Sequence, residues 1–388
     1  MPIPEASADR KELLRARYVQ IAGFDGGSQR SGSPEVCGLG LGLSPQLIAD
    51  SFLEAPFCAW IDWRSMKVLV PVVAAVVSYL TLSIAIAPLR RAGRLGRDVH
   101  KPGHQEVPEM GGISLVGGFS AALLFALALM RFVQWGSGMD ASLLMAVLAT
   151  VLIAAIIGLV DDLLTLPQAT KAFLPLLAAL PLVAMRVGVT EIAVPVFGAI
   201  DVGWVYPLIF VPIGMTVATN ASNMLAGLNG LEIGLGIVQM GSLAVIAAVL
   251  GEQTALVILL AGLGALFGAA RYNWFPAKVF VGDVGTLTIG GVIAASAIVG
   301  NFEIAGVIVY IPHAVDFFLK ALSGFPTRGW GGQLGQDGQL RCPGVRPVSL
   351  PQLVMKIAGG IGEAKLVLLL IGIEAIFGLA AVLLFVLK

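Results

Sequence analysis

Asp161 and Asp162 stand side by side at the end of an apolar run, with Lys171 in the polar stretch that follows. Asp283 sits between small residues in Val279-Phe-Val-Gly-Asp-Val-Gly285, and Asn220-Ala-Ser-Asn223 runs through Gly227, Asn229 and Gly230 to Glu232. Upstream, a basic loop holds His100, Lys101, His104, Glu106 and Glu109, and the long polar stretch 323–364 holds Arg341 and Arg346. Adjacent acids repel one another, and acids at membrane depth cost about 2.5–3.5 kcal/mol each on insertion. A cation resolves that repulsion. Hard oxygen donors such as Asp and Asn suit Mg²⁺, which takes one or two carboxylates plus substrate phosphates. Lys and Arg grip phosphate, Arg by two points at once. Glycines beside Asp283 and Asn223 let backbone approach a ligand closely. Carboxylates, a divalent metal (Mg²⁺, with Mn²⁺ as the alternative), bases and glycines together read as phosphoryl transfer.

Each piece alone has a plainer reading. The acid pair could end a span in water, Gly282-Asp283-Val-Gly285 could be a turn before a helix, and the Asn-rich stretch could cap helices. Arg341 and Arg346 could be membrane anchors. His313 and Asp316, three residues apart on one helical face, read as a buried hydrogen-bonded pair rather than as part of a site.

The elements that must position these residues are membrane spans. Hydrophobic residues make up 57% of the 388-residue chain and charged residues 12%, against roughly 25% charged in a soluble domain; mean hydropathy is +0.91. Net charge is zero, so nothing points to a nucleic-acid partner. Cys37, Cys58 and Cys342 lack metal or disulfide spacing. Residues 1–65 mix charge with Gly, Ser and Pro, contain no spanning run and no signal-peptide core, and read as a poorly ordered N-terminal extension to a membrane domain over 66–388. The Gly38–Gly42 run follows no strand and carries no weight as a nucleotide fingerprint. A span needs about 20 residues. Ten are expected, near 67–89, 111–131, 141–160, 171–187, 203–219, 231–250, 254–270, 284–300, 304–322 and 365–387, giving an all-α bundle. The stretch 188–202 is too polar for a span and reads as a hairpin.

Basic residues in short loops mark the cytoplasmic side. The loop with Arg90, Arg91, Arg94, Arg97 and Lys101 is the richest. Counting turns from it, Lys171, Arg271, Lys278, Arg328, Arg341, Arg346, Lys356 and Lys365 share its face; the opposite loops hold little beyond Arg131 and Arg186. By the same count every unusual polar cluster falls on the cytoplasmic face. Scattered membrane-edge polar residues would fall on both, so one shared site is expected there.

Four motifs in order, Pro108-Glu-Met-Gly-Gly112, Asp161-Asp162 to Lys171, Asn220 to Glu232 and Val279 to Asp283, resemble those of the polyprenyl-phosphate N-acetylhexosamine-1-phosphate transferases, and the likeness covers about 66–388. The Ala-Gly-Leu-Asn-Gly-Leu-Glu form of the third is similar to the eukaryotic and archaeal dolichyl-phosphate branch. Arg341-Cys-Pro-Gly-Val-Arg346 resembles a diverged Cys-Pro-Arg-His-Arg segment, and the closely spaced histidines of bacterial relatives are missing. The resemblance implies a ten-helix bundle with a cytoplasmic site. It implies Asn223 and Asp283 as metal ligands, Asp161, Asp162, Lys171 and Glu109 as catalytic residues, and Val99, Asn229, Phe280, Arg341 and Arg346 as substrate-binding residues. The expected reaction moves GlcNAc-1-phosphate from UDP-GlcNAc to a polyprenyl or dolichyl phosphate, releasing UMP, as the first membrane step of lipid-linked glycan assembly. Another UDP-N-acetylhexosamine or a cell-wall precursor is the alternative within the class. Membrane lipid is the other expected partner, and a homodimer is one assembly open to it. The membrane would be the cell membrane in a prokaryote and the endoplasmic reticulum in a eukaryote. A secondary transporter, the rival from a different class, also carries many Gly-interrupted spans and buried acids, but places them near the midplane and in internal repeats.

Overall fold

The computed structural model describes residues 63–101, 103, 105–136, 138–194, 198–326 and 331–387. The extension expected over 1–65 lies outside these residues apart from its last three, as do Cys37, Cys58, Gly38–Gly42, His104, Pro195 and Arg328.

Helix α1 (Trp63–Arg91) leads into a hairpin of β1 (Leu95–Arg97) and β2 (Glu106–Pro108), paired antiparallel with Gly96 opposite Val107. Helices α2 (Ile113–Phe132) and α3 (Ala141–Leu164) follow; the Asp140 carboxylate caps α3 by accepting from the Ser142 and Leu143 N–H groups. Then come α4 (Gln168–Phe173), a 3₁₀ turn (Leu174–Ala179) and α5 (Leu180–Ala184). The hairpin expected over 188–202 is present as β3 (Glu191–Val194) against β4 (Gly198–Asp201). A π-turn (Tyr206–Phe210) opens into α6 (Val211–Met224), and α7 (Leu231–Leu250), α8 (Gln253–Asn273) and α9 (Gly282–Val299) complete the central bundle. Helices α10 (Glu303–Val309) and α11 (Ile311–Leu322) meet at a bend of 56°. A hairpin of β5 (Gln333–Leu334) and β6 (Leu340–Arg341), α12 (Leu350–Ala358) and α13 (Glu363–Val386) end the described chain.

The chain is an all-α multi-pass membrane protein. Among the described residues, seven helices are long and apolar enough to cross a bilayer, and there are eight if the bent pair α10–α11 counts as one span. Ten spans were expected from hydropathy. The two that differ are 171–187 and 203–219. The first is broken into α4, a 3₁₀ turn and α5, with Pro175 and Pro181 in its course; proline removes a helical hydrogen bond and clashes with the preceding turn. The second begins as a π-turn with Pro207 and continues as the 14-residue α6, whose last turns carry Thr219, Asn220, Ser222 and Asn223.

Helix α9 is the axis of the bundle. Every residue from Val284 to Val299 is buried, and it packs against α3 on one side and α6 on the other. By contrast α1 exposes Val68, Val72, Val76 and Ile84, a face suited to lipid.

Candidate active site

The site is assembled at helix ends. Pro108-Glu-Met-Gly-Gly112 is laced to the segment before α9 by three backbone bonds. The Phe280 N–H donates to the Pro108 carbonyl at 2.8 Å, the Gly111 N–H to the Phe280 carbonyl at 2.8 Å, and the Gly112 N–H to the Val281 carbonyl at 2.7 Å. Such contact needs small residues: a Cβ on Gly112 would collide with the backbone of Gly285, and one on Gly158 of α3 would lie 2.5 Å from the Asp283 carbonyl oxygen. The glycines therefore bring three chain segments to backbone distance around Asp283.

The two neighbouring acids do different things. Asp161 accepts from the Leu166 N–H at 2.8 Å, which fixes the turn leaving α3, and pairs with Lys171 Nζ at 2.5 Å. Asp162 faces α9 instead. Its Oδ1 accepts from the Asp283 N–H at 2.8 Å and its Oδ2 from the Val284 N–H at 3.0 Å. It thus caps α9 from another helix, satisfying orphan donors at the positive end of the helix dipole. Lys171 Nζ also lies 3.5 Å from Asp283 Oδ2, so one ammonium bridges both acids. The Asn220 amide donates to the Ala172 carbonyl at 3.2 Å, tying α6 to the segment that carries Lys171. The Asn223 amide donates to Asp283 Oδ1 at 2.7 Å and to Thr286 Oγ1 at 3.0 Å. Asp161, Asp162, Lys171, Asn223 and Asp283 are brought together.

These groups sit at one end of a cavity of about 1560 Å³ whose wall includes Val99, Glu109, Asp161, Lys171, Asn223, Phe280 and Asp283. Away from them it continues as a mostly apolar groove between α6, α9, α10 and α11, past Val217, Ile293, Val307 and Phe317, with Glu303, His313 and Lys320 also in its wall. Glu109 lies near enough to Asp162 to feel its charge; burial of the carboxyl first, and Asp162 second, push its pKa above the ordinary 4.5.

Three expected substrate contacts stand elsewhere. Asn229 is buried and outside the cavity wall. Its Oδ1 accepts from Lys101 Nζ and the Ala277 N–H, both at 2.6 Å; its Nδ2 donates to Asp98 at 3.1 Å and Glu363 at 2.8 Å; and its own N–H donates to Glu363 at 2.8 Å. It is a brace between four chain segments, with its side-chain oxygen and amide hydrogens all engaged. Arg341 is held in an exposed pair with Asp337, 3.0 and 2.5 Å at its two nitrogens, and Arg346 is exposed; neither borders the cavity. His313 and Asp316 are both buried but are not partners. Asp316 pairs with Lys320 at 2.7 Å and accepts from the Leu350 N–H at 2.8 Å, while His313 Nδ1 lies 3.4 Å from Gln239 Nε2 and 3.7 Å from Glu374. A three-residue spacing on a helix allowed the pair, but a lysine one turn on is the better partner for an acid.

Asp98, Glu363 and Glu374 were missed in the sequence. Asp98 had a signal, since it lies three residues before Lys101 in the basic loop. Glu374 had one too, as an acid in the middle of a span. Glu363 opens a helix, where an acid needs no special explanation.

Carboxylates around a lysine, an amide beside them and a backbone-lined helix start form a hard, oxygen-rich donor set. It fits a Mg²⁺-bound diphosphate: Asp283 and Asn223 would hold the metal, once a half-turn of the Asn223 amide presents its oxygen.

Residues 144–301 match glycosyl transferase family 4. A protein of Saccharolobus solfataricus, provisionally named UDP-N-acetylglucosamine–dolichyl-phosphate N-acetylglucosaminephosphotransferase, is 36% identical over 83% of this chain and 98% of its own. A similarly named protein of Sulfolobus acidocaldarius is 34% identical, covering 80% and 94%. The phospho-N-acetylmuramoyl-pentapeptide-transferase of Shouchella clausii is 34% identical over 64% of this chain and 78% of its own.

Proposed function

The chain belongs to glycosyl transferase family 4, and on that premise we propose that it moves GlcNAc-1-phosphate from UDP-GlcNAc to a polyprenyl phosphate such as dolichyl phosphate, releasing UMP. The observation that carries this reading is the bridging of Asp161 and Asp283 by Lys171 at one end of a cavity that runs on as a mostly apolar groove. A charged diphosphate at the polar end and a lipid tail in the groove would bring the reacting phosphates to Lys171. The basic residues of the first loop support a cytosolic mouth.

An oxygen of the lipid phosphate attacks the sugar-bearing phosphorus. The bond from that phosphorus to the oxygen it shares with UMP breaks, and UMP leaves. A phosphate monoester with a second pKa near 6 is mostly ionised at neutral pH, so the nucleophile needs little help from a base. The barrier is the meeting of two anions. Lys171 lowers it by neutralising charge as it shifts to the leaving phosphate. Asp161 holds the ammonium in place and can take a residual proton. Asp162 fixes the start of α9 and through it Asp283. Phe280 and Val99, both in the cavity wall, would hold the uridine, and Glu109 sits near Asp162. Mg²⁺ held by Asp283 and Asn223 would supply Lewis-acid neutralisation of the diphosphate. The exposed Arg341 and Arg346 are given no step.

Purified protein in detergent with UDP-GlcNAc, Mg²⁺ and dolichyl phosphate is expected to release UMP, and Asp283→Ala to abolish that release while keeping the fold. Release of UDP would mean that the sugar alone is transferred and would overturn the reading. The likeness to a pentapeptide transferase makes a panel of UDP-sugars the test of which hexosamine is preferred.

A further inference from the structure

Beside the brace formed by Asn229 lies a second cluster with a different donor set. Asp98, His100 and Glu363 each offer one ligand atom, all within 4.8 Å of one another. They come from the first loop and from the start of α13, far apart in the chain. Their residues are only 2%, 5% and 5% exposed. His100 Nε2 and Glu363 Oε2 are buried with no hydrogen-bond partner, an arrangement that native interiors rarely leave unmet.

The neighbours define the charge to be balanced. Lys101 pairs with Asp98 and donates to Asn229. Asn229 in turn uses Asp98 Oδ2 and Glu363 Oε1, which leaves Glu363 Oε2 unengaged. Glu232 lies close enough to Glu363 to act on it electrostatically, and its own Oε2 is buried without a partner. Asp98 and Glu363 thus share one ammonium, with Glu232 close to Glu363, and a divalent cation would offset the excess.

We propose that Asp98, His100 and Glu363 bind a divalent transition metal such as Zn²⁺ or Mn²⁺, clipping the first loop to the start of α13. One imidazole with two carboxylates suits these ions; an all-oxygen set would favour Mg²⁺. The site is separate in its ligands from Asp283 and Asn223. Asp98 and His100 flank Val99 in the wall of the cavity that also holds Asp283, so the metal would fix that stretch of wall in place.

The test uses the full-length chain in detergent, stripped with chelator and then reloaded with Zn²⁺, or with Co²⁺ as a coloured probe, in excess Mg²⁺ to fill oxygen-only sites. Wild type is expected to take up one equivalent, to gain a visible Co²⁺ band and to melt at higher temperature. His100→Asn and Glu363→Gln stay close to the size of each side chain, and in the second the new amide oxygen can still accept from Asn229. Each is expected to weaken uptake by at least about 100-fold, since losing even an outer-shell partner costs about 10–100-fold. Asp283→Ala is expected to keep the uptake. Melting of both variants without metal checks that they fold. Stoichiometric uptake that survives in folded His100→Asn, or wild type that takes up none in excess Mg²⁺, would overturn the proposal.

Discussion

Replacing Asp162 with alanine separates a positioning acid from a chemical one. In the structure this carboxylate accepts the Asp283 and Val284 N–H groups at 2.8 and 3.0 Å. Hydrogen bonds to a charged group contribute about 1.5–3 kcal/mol each, while loss of a helix cap costs about 0.5–2 kcal/mol. The two figures describe the same contacts, and water reaching the half-buried site recovers part of the loss, so about 2–4 kcal/mol is the expected destabilisation. At roughly 2 °C per kcal/mol for a chain of this size, melting in detergent should fall by about 4–8 °C. Activity should fall as well, because Asp283 rides on the freed first turn. Asp162→Asn keeps one acceptor oxygen and should recover about half of the melting loss. Asp161→Ala, which breaks the Lys171 pair, should lose turnover with a smaller change in melting. The assay is thermal unfolding of each variant beside UMP release at saturating UDP-GlcNAc. An Asp162→Ala protein that melts like wild type yet is inactive would refute the capping argument and give Asp162 a direct chemical part.

Asn229→Ala should cost about 3 kcal/mol or more in stability, since it strips several buried bonds at about 0.5–1.5 kcal/mol each and strands charged partners; a raised KM for UDP-GlcNAc with unchanged melting would instead make Asn229 a uridine contact. Lys171→Met should lower kcat by about 10²–10³, the loss typical of one electrostatic donor, and Lys171→Arg should restore little of it, because a planar fork does not replace a point charge between two acids. Glu109→Gln should remove a pH-dependent penalty. The folded pKa of Glu109 lies above 4.5, so the native state holds its proton more tightly than the unfolded chain does, and stability is lost as pH rises from 4.5 through the folded pKa. The variant should therefore melt above wild type at neutral pH and match it well below pH 4.5; a difference that persists in acid would assign the effect to packing.

The order of spans and the four motifs were open to reading because hydropathy and glycine placement are local properties. Rotation about a helix is not. Successive residues in an α-helix point about 100° apart, so adjacent acids must face different neighbours, and which neighbours depends on how α3 packs against α9. That is why Asp161 and Asp162 read as an equivalent pair but divide into a lysine partner and a cap. Asn229 shows a second limit: an amide donates and accepts alike to ligand or protein, and only the arrival of Asp98, Lys101 and Glu363 from distant segments consumes its capacity. The expected span over 171–187 is a third case, and here the signal was present. Pro175 and Pro181 interrupt a run whose average hydropathy hides them.

The break at Pro175 and Pro181 also bears on how the site works. A continuous helix would carry Lys171 onward along its own axis. Broken into short turns, the segment instead packs against α3 and α6 from the start of α9, where Lys171 meets Asp283, to its far end, where the Val189 N–H donates to Asn301; its first turn is held by the Asn220 amide on one side and by Asp161 on the other. Asp283 meets it from α9, a helix buried along nearly its whole length and therefore hard to shift. The lysine is thus the movable partner and the aspartate the fixed one. A phosphate entering between them would compete with Asp161 and Asp283 for the same ammonium, and a flexible side chain on a short, partly exposed segment can change partners at less cost than a packed helix can move. The geometry therefore favours a site in which Lys171 passes from carboxylate to phosphate as substrate binds, while Asp162 keeps the start of α9 in place.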